Sequence, residues 1–94
     1  MSYAGAEALT VQALQFIASD QELVEALLAM TGLRALDLRQ AAADPGFGVS
    51  LLDFLLEDDQ RVLRFARSAG IAPQEVMTAR TALAGPGSYG WTAD

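Results

Sequence analysis

PGFGVSLLDFLL, residues 45–56, is the stretch that decides the fold. Asp44 stands before it, where an N-cap carboxylate accepts the amides of a first helical turn. Pro45 takes the first helical position, where a missing N–H costs nothing. Phe47, Val49, Leu51, Leu52, Phe54, Leu55 and Leu56 cover nearly the whole circumference of a helix. The polar relief is one narrow stripe, Ser50, Asp53 and Glu57, spaced i, i+3, i+7. A helix of this kind holds in water only when neighbours cover most of its sides, so it is predicted to be the core of a bundle. It is too short to cross a membrane, and Asp53 interrupts the run.

Outward from that stretch, composition narrows the chemistry. Ninety-four residues, 52% of them hydrophobic, suffice for one domain with its own core. There is no Cys, which removes disulfides, thiolate chemistry and zinc-thiolate or iron–sulfur sites. There is no His, the usual neutral-pH acid/base and the commonest zinc ligand. Lys and Asn are also missing, which removes Schiff-base chemistry and N-glycosylation. No cofactor and no metal are expected. The start, MSYAGAEALT, lacks the basic and apolar regions of a secretory signal, so a cytoplasmic protein is expected. A net charge of −6 disfavours non-specific attraction to nucleic acid or anionic lipid.

On the N-terminal side, a helix is predicted from about Ala4 to Ala18, with Leu9, Ala13, Phe16 and Ile17 inward and Val11 and Leu14 widening the face. Ser19 and Glu22 match a capping box that would start a second helix near Asp20. It carries Leu23, Val24, Leu27 and Leu28 inward and stops at Gly32, a left-handed C′ residue. A short third helix, about Ala35 to Ala42, offers Leu38, Ala41 and Leu36, although Arg34 is a poor cap. On the C-terminal side, Asp58 caps a fifth helix, about Asp59 to Ala69, that buries Val62, Leu63, Phe65 and Ala66 and ends at Gly70. Pro73 opens a sixth, with Glu75 in its first turn and Val76, Ala79 and Leu83 inward. Residues 84–94 hold Gly85, Pro86, Gly87 and Gly90, cannot continue a helix and are expected to form a flexible Gly/Pro/aromatic tail. The single domain thus spans about Leu9 to Leu83, with helix one reaching back towards Ala4.

An offset of 38 positions matches the chain to itself. Val11 falls on Val49, Leu14 on Leu52, Phe16 on Phe54, Asp20 on Asp58, Val24 on Val62, Gly32 on Gly70 and Ala41 on Ala79. The expectation is an all-α bundle of five to six short helices, built as two pseudo-repeated three-helix units around the central buried helix. The alternative is that any Leu- and Ala-rich helical sequence matches itself at some offset. The shared Asp and Gly punctuation favours duplication.

Several motifs invite a functional reading. Arg61, Arg64 and Arg67 form an i, i+3, i+6 row that could dock an acidic partner. The simpler account is a solvated face, with Glu57 pairing to Arg61. Glu57, Asp58 and Asp59 could suggest a metal site, but adjacent helical positions diverge and capping explains them better. The helix–Gly–helix segments around Gly32 and Gly70 suggest a helix-turn-helix, with Arg34, Arg39, Gln40, Gln74 and Arg80 as the available polar readers. An acidic chain without Lys suits ordinary helical hairpins better. No nucleophile–base pair and no Gly-rich phosphate loop is present, so no enzyme is expected. Tyr89 and Trp91 in the tail are either a disordered end, an anchor for a partner groove, or a segment folded back on the domain.

Phe16-Ile17-Ala18-Ser19-Asp20, Thr31-Gly32-Leu33, Leu38-Arg39, Asp44-Pro45-Gly46-Phe47, Leu52-Asp53-Phe54-Leu55 and Phe65-Ala66 together resemble a bacterial family of small chains known as domain of unknown function 3572. The resemblance covers about Leu9 to Leu83 and excludes the tail. It implies a small α-helical cytoplasmic protein of alphaproteobacterial type and implies no activity. The expected function is a non-enzymatic protein–protein interaction or adaptor module, using Arg61, Arg64 and Arg67, an apolar groove, or Tyr89 and Trp91. The alternatives are a homo-oligomeric structural protein and a helix-turn-helix-like nucleic-acid adaptor; no membrane role is expected.

Overall fold

Local capping sets the helix boundaries, and the boundaries set the packing. In the computed structural model, which describes residues 1–42 and 44–84, α1 spans Tyr3–Ala18 and α2 spans Gln21–Thr31. A 3-10 turn, Ala35–Asp37, leads into a single α-helical turn, α3, Leu38–Ala41. The chain then forms α4 (Pro45–Leu56), α5 (Asp59–Ala69) and α6 (Gln74–Ala84). No strand occurs among the described residues, and the fold is the expected all-α bundle.

Each start has a side chain that explains it. The Ser2 hydroxyl accepts from the Gly5 amide, so α1 begins one residue before the predicted Ala4. Asp44 accepts from Gly46 at 2.9 Å and Asp58 from Gln60 at 2.8 Å, as the sequence leads one to expect. The predicted capping box at Ser19 does not form. Ser19 keeps helical backbone angles and donates its hydroxyl to the Phe16 carbonyl. The extended residue is Asp20, whose Oδ1 accepts from Glu22 and Leu23. A carboxylate caps at least as well as a hydroxyl, and it wins by one residue. Gly32 and Gly70 close α2 and α5 at φ of 75° and 70°, the left-handed conformation that glycine adopts without a Cβ clash. The third helix is the weakest element, as Arg34 implies: no side chain caps it, and the first three residues of the expected span form a 3-10 turn.

The core is α4 and what covers it. Leu51, Leu52, Phe54 and Leu55 are all but fully buried, together with Ile17, Leu27, Phe65, Val76 and Ala79. Every fully buried side chain among the described residues is apolar. α1 packs on α2 and α5, and α4 packs reciprocally on α5 and α2. α6 lies against both α1 and α4, whereas α3 packs chiefly on its own 3-10 turn. The offset of 38 is kept in the bounds of one pair of helices: α2 and α5 occupy equivalent residues, with equivalent Asp and Gly caps. Thr10 and Gly48, which the offset pairs, also meet. A Cβ on Gly48 would stand 3.3 Å from Thr10 Cγ2, so α1 and α4 approach closely at this crossing.

Three predicted core positions are corrected. Val11 is 56%, Leu63 46% and Leu36 75% exposed. Val11 and Leu63 lie at the flank of their helices' apolar stripes, beyond the width the neighbouring helices cover. Leu36 falls in the 3-10 turn, whose three-residue period turns it away from the face an α-helix would have given it.

Candidate functional site

Arg61, Arg64 and Arg67 all lie on α5, but they do three different things. Arg61 is largely covered. Its Nη1 donates to the Phe54 carbonyl at 2.9 Å, and its guanidinium carbon sits 4.0 Å over the Phe54 ring. The Phe54 carbonyl belongs to the last turn of α4, where no intrahelical amide follows to pair with it, so Arg61 closes the end of the central helix. The expected Glu57 pair is present but long, at 3.5 Å. Arg64 donates to Asp20 Oδ2 at 3.0 Å and lies over Phe16 at 5.9 Å, joining α5 to the start of α2. That hydrogen bond, chiefly, holds the Asp20 carboxyl below its ordinary value. Partial desolvation opposes it, and the Leu23 and Glu22 amides add to it. Arg67 is exposed and forms no ion pair among the described residues. Tyr89 and Trp91 lie outside the described residues.

Most of the remaining charged candidates are engaged within the fold. Arg34 pairs with Asp37 at 2.9 Å, and Arg80 pairs with Asp53 at 2.7 Å and again at 3.3 Å. The second pair was missed from sequence, although Asp53 interrupting an apolar helix was the available signal. Arg39 is exposed. Asp58 caps α5 as anticipated, and Glu75 accepts from the Ala72 amide ahead of α6. No group of three or more acidic side chains among the described residues is placed to hold a metal ion.

Sequence reasoning also missed a groove where α1, α4 and α6 meet, of about 150 Å³. Val11 and Leu83 form apolar walls, Tyr3 stands at its mouth, and Glu7 and Asp44 add carboxylates from α1 and the α4 cap. Gly48 shuts the bottom: a Cβ there would lie 3.2 Å from Leu83 Cδ1, so α4 and α6 are already in close contact. A wider groove of about 360 Å³ runs between α1 and α5 over Phe16 and Phe65, whose rings are 5.6 Å apart, with a rim of Gln12, Gln15, Ser19 and Ser68.

No helix among the described residues is long and apolar enough to cross a membrane. Comparison with curated proteins and with solved structures gives no match. The family model described as "Protein of unknown function (DUF3572)" matches residues 3–86, which takes in α1 to α6. The chain belongs to that family.

Proposed function

We propose that this chain is a small non-enzymatic protein–protein interaction module, working in the cytoplasm of a bacterium. The observation that carries the reading is the groove between α1, α4 and α6, where Tyr3 and Val11 stand 48% and 56% exposed beside Leu83. Apolar side chains gathered around a concave surface offer a partner area to cover. Capping and pairing occupy most of the charged side chains, which favours binding over catalysis as the use of this surface. Arg67 offers a separate charged contact on α5, and Tyr89 and Trp91 follow Leu83 closely in sequence.

Affinity capture of the full chain from its native cytoplasm tests the reading. Val11→Glu should remove a stoichiometric protein partner while leaving the urea melt nearly unchanged, because Val11 is more than half exposed. Capture indifferent to both Val11→Glu and Arg67→Glu would overturn it. The same exposed side chains would also serve a homo-oligomer, and equilibrium sedimentation at micromolar concentrations separates the two.

A further inference from the structure

We infer that the groove between α1, α4 and α6 receives a cationic, apolar-stemmed segment of a partner protein, with an Arg or Lys side chain as the group that enters. This rests on the reading of the chain as an interaction module and adds the chemistry of what is bound.

The argument is one of size and charge. At about 150 Å³ the groove is smaller than a typical small-molecule pocket and suits one long side chain. Its walls, Val11 and Leu83, are aliphatic and would lie along a methylene stem. Its polar contributors include two carboxylates and no cation. Asp20, Asp37, Asp53 and Glu57 each have an arginine partner, but Glu7 and Asp44 form no ion pair among the described residues. Asp44 Oδ1 accepts from the Gly46 amide at the head of α4. Tyr3, one helical turn before Glu7, places an exposed ring where a guanidinium or ammonium could rest on its face. The net charge of −6 adds a long-range attraction for cationic segments.

The test titrates the isotopically labelled full chain with two synthetic peptides, acetyl-LRALLRAL-amide and acetyl-LEALLEAL-amide, at low and high salt. The Arg peptide should shift the Val11 and Leu83 methyl signals and the Gly48 amide. It should bind about tenfold more tightly than the Glu peptide at low salt, with the gap closing as salt screens it. Glu7→Gln combined with Asp44→Asn should bring the two peptides to parity without moving the melt, since Asn still caps a helix. Equal binding of both peptides, binding elsewhere, or no binding would overturn the cationic occupant. Loss of capture by Val11→Glu would then still support the interaction reading alone. A dimer that the double variant dissociates would assign the groove to a second copy. Tighter binding of the Arg peptide to Trp91→Ala would assign it to the chain's own C-terminal residues. Either result overturns the proposal.

Discussion

Asp20 divides its two carboxylate oxygens between two helices. Oδ1 caps α2 and Oδ2 accepts from Arg64 on α5. A carboxyl held below its ordinary value of 3.8 favours the folded state at every pH where it is ionised. That contribution is complete above the ordinary value and fades as pH falls through the depressed one. Asp20→Asn keeps the cap and loses the charge, so the variant's stability should depend less on pH below about 4 than that of the wild type. Acid titrations followed by circular dichroism would show this; parallel curves would mean that Arg64 gives Asp20 nothing. Arg61 is the second residue with a structural duty. Arg61→Ala removes a guanidinium stacked on Phe54 and leaves a helix-end carbonyl without its donor, at a cost of roughly 1–2 kcal/mol in a urea melt. Arg67→Ala, one helical turn from Arg64, should cost almost nothing. Three arginines with one sequence signature therefore differ in consequence.

At the scale of elements, the two glycine stops make a matched experiment. Nothing lies within 4 Å of a Cβ built on Gly32 or on Gly70, so a side chain there meets backbone strain alone. Gly32→Ala and Gly70→Ala should each lose about 1 kcal/mol, and by similar amounts. Gly48 is a different case. Its Cβ would press on Leu83 and Thr10, and Gly48→Leu should wedge α4 away from α1 and α6, costing roughly 1–3 kcal/mol. The helices themselves were legible because Asp44, Asp58, Gly32 and Gly70 are short-range signals: each acts within a few residues of itself. Side-chain exposure was less so. Periodicity identifies the inward face of α1 and α5 but not its width, which is how Val11 and Leu63 were misplaced. The pairs Arg80–Asp53 and Arg64–Asp20 span 27 and 44 positions, and the groove is made by three helices that meet only in the folded chain. No local pattern encodes such meetings.

For the whole molecule, α4 is the element that α1, α2, α5 and α6 cover. Leu52 is fully buried at its centre, and Leu52→Ala should cost roughly 2–5 kcal/mol. A loss well under 1 kcal/mol would mean that the core is held elsewhere. The two halves do not pack alike: α6 lies against both α1 and α4, while α3, its equivalent by the offset, packs chiefly on its own 3-10 turn. Neither half is therefore complete alone. This has a consequence for synthesis. The helix that spans both halves is made after α1 and α4, so a chain emerging from the ribosome exposes the apolar flanks of those two helices until residue 84 is free. Folding should wait for α6 to emerge, and limited proteolysis of ribosome-bound chains should find the first half open at every length short of α6.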